Sequence, residues 1–135
     1  MAIDSIRRVL LHGRSDEGFD NTVRFARRLV ETFGAELHVV YTVEGALSAG
    51  WTAEMAAEKL PELHQAVEAE ARERLERVIP GQQDSVTIAI RTGDSSAELA
   101  RYTAENTIDL AIVHGPDGHA RALLDHGHCS VLVLR

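Results

Sequence analysis

Apolar residues along this chain fall into two alternating patterns. Short, near-continuous runs rich in β-branched residues occupy 7–12 (RRVLLH), 35–43 (AELHVVYTV), 85–91 (SVTIAIR), 109–114 (DLAIVH) and 130–135 (SVLVLR). Runs of this length without strict polar alternation suit parallel strands covered on both faces, and they are designated β1 to β5. Between them the apolar positions step by three and four. Phe19, Val23, Ala26, Val30 and Phe33 predict a helix over 19–33 (α1), with Gly34 placed as its C-terminal cap. Leu60, Leu63, Val67, Ala71, Leu75 and Val78 predict a second over 60–79 (α2). Its outer face carries Glu68/Arg72, Glu70/Arg74 and Glu73/Arg77, each four apart with the acid first. Pro61 predicts a break or kink in any helix that begins after Thr52. The stretch SSAE at 95–98 reads as a capping box opening a third helix (α3), with Ser95 as cap and Glu98 reaching back. HARALLD at 119–125 has room for a short helix between β4 and β5.

Strands alternating with helices predict an α/β sandwich of three layers around a parallel sheet with right-handed crossovers. At 135 residues, one domain spanning 1–135 is expected, large enough to bury a core without disulfide or metal staples. Charge narrows the function classes. With 14 basic against 21 acidic side chains, a net charge of −7 and no basic run, the chain lacks what binds phosphate backbones or anionic membranes. No apolar stretch approaches the roughly 18 residues of a spanning helix. The opening MAIDSIRRVLLHG carries Asp4 and too short an apolar segment for a secretory signal. Cys129 is alone, so no intrachain disulfide can form, and a cytoplasmic location is expected.

In open parallel sheets, ligands sit beyond the carboxyl ends of the strands, where the winding reverses. Two strand ends carry unusual residues: HGRS (12–15) after β1 and HGPDGH (114–119) after β4. Both combine flexible backbone with polar side chains. Together with GAELHVVYTVE (34–44), TGDSSAELARYTAENTIDLAIVHG (92–115) and the ending CSVLVLR, these segments resemble the universal stress protein family over nearly the whole chain. The resemblance implies an adenine-nucleotide alpha-hydrolase-like arrangement, a five-stranded parallel sheet in the order 3-2-1-4-5 with β1 and β4 adjacent at the switch point. It also implies homodimers through the last strand in many members, and ATP binding in a subset.

Where members of the family bind ATP, the loop after β4 resembles Gly-x2-Gly-x9-Gly-Ser/Thr, whose backbone N–H groups and hydroxyl hold phosphates. An Asp at the end of β1 contacts the nucleoside. Here Gly115 and Gly118 keep the first spacing, but only residues 119–126 separate Gly118 from Gly127, and His128 stands where a hydroxyl is expected. His12, Gly13 and Arg14 occupy the region of the β1 Asp. Asp117 and Asp125 add negative charge near the phosphate position, with Arg14 and Arg121 to offset it. The candidate crevice comprises His12, Gly13, Arg14, Ser15, Val40, Val113, His114, Gly115 and Gly118, with His12 and His114 expected to lie close together. The shortened connection predicts a poorly covered β5 and a homodimer through its Val131 and Val133.

The loop histidines admit a second chemistry. His119, His126, His128 and Cys129 are borderline-soft ligands suited to Zn, Ni or Cu, although no standard metal spacing is matched. Solvated imidazoles and a small apolar Cys129 are the plainer reading, and a pH-sensitive His cluster is another. Ser15 with His12 suggests a nucleophile and base, but no Gly-x-Ser-x-Gly elbow or third group supports hydrolysis. Trp51 anchors its loop, lids the crevice or meets a partner. Few aromatics argue against base stacking. The sequence therefore predicts a non-enzymatic binding or regulatory protein of the stress response, without cofactor or standard ATP binding. The alternatives are an ATP or AMP binder using Gly115, Gly118 and the β1 turn, and a metal-binding His/Cys cluster.

Overall fold

Period-two alternation along the strands sorts the buried residues onto two sides of one sheet. The computed structural model describes residues 5–44, 52–81 and 85–135. Its strands are β1 Arg8–His12, β2 Glu36–Val43, β3 Val86–Thr92, β4 Leu110–His114 and β5 Ser130–Leu134, and its helices α1 Phe19–Phe33, α2 Ala53–Val78, α3 Ser95–Glu105 and α4 His119–His126. All neighbouring strands are parallel, in the order β3-β2-β1-β4-β5 that the resemblance implies. Val9, Leu11, Leu37, Val39, Leu110 and Ile112 meet Phe19, Val23, Ala26 and Val30 of α1 and Ala71 and Leu75 of α2 in one core. Leu10, Val40, Ala111 and Val113 meet Leu99 and Tyr102 of α3 and Leu123 of α4 in the other. The result is a three-layer sandwich with β1 and β4 side by side at the switch point.

Several local expectations change. Phe33 ends α1 on its outer side, 39% exposed, although it shares the apolar spacing. Pro61 neither stops nor splits α2, which runs 26 residues from its cap at Thr52. Proline removes a donor and frees the carbonyl four residues earlier; both Pro61 and Ala57 face solvent here, so water satisfies that group. The cap of α3 is Asp94, whose Oδ2 accepts from the Ala97 N–H at 2.9 Å. Ser95 is the first helical residue and Glu98 turns to Arg101 at 2.6 Å, so no capping box forms. Of the three pairs expected along α2, Glu68–Arg72 closes at 2.8 Å. Arg74 instead crosses to Asp20 of α1 at 2.7 Å, tying the two helices together, and Glu73–Arg77 does not close among the described residues. Trp51 lies outside the described residues. None of the helices among them is long and apolar enough to cross a membrane.

Candidate functional site

The carboxyl ends of β1, β2 and β4 converge where α3 and α4 begin. His12 ends β1 on the face of Leu10, and its Nε2 lies 3.2 Å from Thr42 Oγ1. Thr42 Oγ1 in turn lies 2.6 Å from Ser95 Oγ, and the Ser95 N–H donates to Glu44 Oε1 at 2.6 Å. His119, the first residue of α4, meets the His12 ring edge-on with centroids 4.9 Å apart, while its Nδ1 lies 2.8 Å from Ser96 Oγ. A chain of polar side chains thus links the ends of β1 and β2 to the first turns of α3 and α4.

Burial holds His12 well below the usual imidazole range, at about 4. The neighbouring His119 and Arg14 push the same way, and Asp117 and Glu44 oppose them. His12 is therefore neutral at pH 7, and its Nδ1 is buried without a hydrogen-bond partner, as is that of His114. The two rings are not neighbours as expected. Leu11 opposes Ile112 in the β1–β4 register and both face α1 and α2, so the parity that turns His12 toward α3 and α4 turns His114 to the other face. There His114 Nδ1 lies 3.9 Å from Asp117 Oδ1, and Asp117 also meets Arg14 at 3.5 Å. Val40 and Val113, expected to line the crevice, are fully buried core residues.

The glycines of the two turns serve the fold. A Cβ on Gly13 would fall 2.6 Å from the Tyr41 ring, which lies across the end of β1. Gly115 presses against β5, with the Leu134 carbonyl oxygen and Val133 Cγ1 each 3.3 Å from its ideal Cβ position. Gly118 adopts φ +76° with open space around it, a left-handed conformation that closes the 3-10 turn Gly115–Asp117. Its N–H donates to the Gly115 carbonyl at 3.2 Å, and Pro116 has no N–H to offer. Gly127 caps α4, with its N–H on the Leu123 carbonyl at 2.9 Å and no room for a Cβ. Within this loop the Pro116 and Gly118 positions therefore offer no free amide to an anion, while the first N–H groups of α4 carry no side-chain cap. A small pocket of about 60 Å³ lies beside Arg14, Ser15 and Tyr41, walled on its other side by Val67, Glu70, Ala71 and Arg74 of α2.

The expected metal ligands separate as well. His119 is engaged with His12 and Ser96, whereas His126 and His128 line a groove between α3 and α4. Cys129 packs against the core below, and burial pushes its thiol up to about 11. Among the described residues no three His, Cys, Asp or Glu side chains gather as a metal site. His12 faces Thr42 rather than Ser15, so the pair has no nucleophile–base geometry. Tyr41, Thr42 and Ser96 are not among the residues the sequence predicts for the site, and Ser95, expected only as a helix cap, joins its polar chain instead. Tyr41 carries the clearest signal, a bulky ring at an inward strand position level with a glycine.

The sequence model of the Universal stress protein family matches residues 6–135. The chain belongs to that family. None of the curated proteins matches it. Among solved structures, UspA from Lactobacillus plantarum superposes with a TM-score of 0.71 at 20% identity, covering 96% of this chain and 98% of its own. A universal stress protein in complex with cAMP gives 0.66 at 14% identity over 96% and 97% of the two chains. One from Archaeoglobus fulgidus in complex with dAMP gives 0.61 at 14% over 98% and 100%. At these identities the likeness is one of fold. This universal stress protein shares their fold and differs from the family's ATP-loop pattern between Gly118 and β5.

Proposed function

We propose that this universal stress protein is a non-enzymatic binding or regulatory member of the stress response in which the chain's own side chains fill the usual nucleotide crevice. Family membership supports the stress-response role. The observation that carries the rest is the seating of the Tyr41 ring 2.6 Å from where a Gly13 Cβ would stand. In ATP-binding members the resemblance places an Asp at this strand end, and at Gly13 any side chain requires the Tyr41 ring to move. The edge contact of His119 on His12 closes the neighbouring space. No cofactor is needed in this reading, and a cytoplasmic location follows from the same family role.

A second reading stands because two relatives of the same fold are complexes with cAMP and dAMP. In it, Arg14 and the His119 end of α4 meet an adenine nucleotide after Tyr41 swings aside. Calorimetric titration with ATP, AMP and cAMP in the presence of magnesium separates the two. The proposal expects no saturable heat below millimolar concentration, and micromolar binding would overturn it. For assembly, we propose a homodimer through β5, which lies at the sheet edge with Val133 49% exposed and Val131 half-buried beside it. Light scattering at micromolar concentration should return the dimer mass; a monomer would defeat that assignment.

A further inference from the structure

Between α3 and α4 lies a groove of about 620 Å³ that meets the crevice's polar chain only at Ser96, a size within the usual range of small-ligand pockets. Its origin is visible in the sequence. Ala97, Ala100 and Ala104 place the smallest side chains along the face of α3 toward α4, and Ala122 meets them from the other helix. Helix α4 has eight residues against eleven in α3, so it cannot cover that face from end to end.

The polar groups of the groove are unequal at its two ends. Asp94 and Ser96 stand at the start of α3 and are already engaged, with the Ala97 N–H and with His119. Arg101 lies five residues beyond Ser96, about 7.5 Å along the helix axis. The His128 N–H donates to Thr103 Oγ1 at 3.4 Å, which holds the His128 imidazole level with the Arg101–Ala104 turn. His126 ends α4 in the same wall. Among the described residues neither imidazole has a hydrogen-bond or ion-pair partner. Arg101 uses one guanidinium nitrogen on Glu98 and has donors to spare, its side chain 58% exposed. In a chain of net charge −7 this is a local gathering of cationic and donor groups beside an alanine floor.

We propose that the groove binds a small organic anion with a flat apolar body, such as an aromatic carboxylate or sulfonate. Its charged end lies among Arg101, His126 and His128, and its body lies on Ala97, Ala100 and Ala104. The groove touches the crevice only through Ser96, which meets His119, and neither Tyr41 nor His12 lines it, so its test is read separately from the nucleotide titration.

The probe is 1-anilinonaphthalene-8-sulfonate, followed by fluorescence titration and by amide shifts in ¹H–¹⁵N spectra at pH 7. Wild type should saturate at one probe per chain, with shifts concentrated in α3 and α4. Ala97→Leu/Ala104→Leu, at two exposed helical positions that tolerate leucine, should lose saturable binding while keeping its unfolding midpoint. Arg101→Gln should bind about tenfold more weakly, the loss of one charge-assisted contact. Leu124→Gln, on the solvent side of α4 at 66% exposure, should bind as wild type. Undiminished binding in the double leucine variant overturns the proposal. Loss of binding in Leu124→Gln overturns it too, since the probe would then sit on the outer face of α4. A change of mass by light scattering in the double leucine variant would assign the groove to a second copy of the chain, and that outcome also overturns it.

Discussion

Replacing Gly13 by alanine tests the packing that closes the crevice. The backbone at Gly13 does not adopt a left-handed φ, so alanine is conformationally acceptable. On unfolded-state entropy alone the change would stabilise by about 0.4–1 kcal/mol. The new methyl, however, falls 2.6–2.7 Å from three Tyr41 ring atoms. That ring is 9% exposed and braced edge-on against Phe19 with centroids 6.4 Å apart, so it has little freedom to retreat. Overpacking against so braced a ring lies in the upper part of its usual range, about 2–3 kcal/mol, leaving a net loss of roughly 1–2.5 kcal/mol. Urea denaturation followed by circular dichroism at pH 7 reads the difference. A double-mutant cycle with Tyr41→Val should recover most of it as a coupling of about 1–2 kcal/mol. If Gly13→Ala proves as stable as wild type or more so, the Tyr41 ring does not occupy that space and the argument for a filled crevice collapses.

Other predictions follow from single residues. Thr107 is the only non-glycine residue with positive φ among the described residues, at 51°. Thr107→Gly should raise stability by about 0.5–1 kcal/mol in the same urea assay, since relief of left-handed strain outweighs glycine entropy; a loss of stability would refute the strain. The depressed folded pKa of His12, about 4 against 6.5, means the unfolded chain binds its proton first. Its contribution is complete above pH 6.5 and falls as pH drops from 6.5 toward 4, by up to about 3 kcal/mol. His12→Gln should flatten that portion of the stability–pH curve, and an unchanged curve would contradict the assignment. With its thiol pushed up to about 11, native Cys129 should react with iodoacetamide at pH 8 about a hundredfold more slowly than in urea; equal rates would contradict its burial.

The fold was legible because burial on both faces of a parallel sheet writes itself as continuous apolar runs. Each of the five runs became a strand within a residue or two, and α1 ends at the glycine its pattern named. The misses arose where tertiary context competes with local pattern. Pro61 is tolerated because its orphaned carbonyl meets water, and Asp94 caps α3 because its carboxylate reaches the Ala97 N–H. The candidate site was less legible. That His12 and His114 close equivalent strands suggested a pair, yet a single step of register sends them to opposite faces. Gly115 and Gly118 matched half a phosphate loop, but Pro116 between them has no amide and the Gly118 amide bonds within its own turn. The shortened connection was readable by counting. The contacts that fill the strand ends, Tyr41 over Gly13 and His119 on His12, depend on side chains brought together from β1 and its turn, β2 and α4.

The most direct measurement is a crystal structure of this universal stress protein grown with millimolar magnesium ATP. The account predicts a Tyr41 ring still lying across Gly13, the His119 edge still on His12, and no adenine between β1 and β4. An adenine seated there, with Tyr41 and His119 displaced and the triphosphate along Gly115–His119, would contradict it.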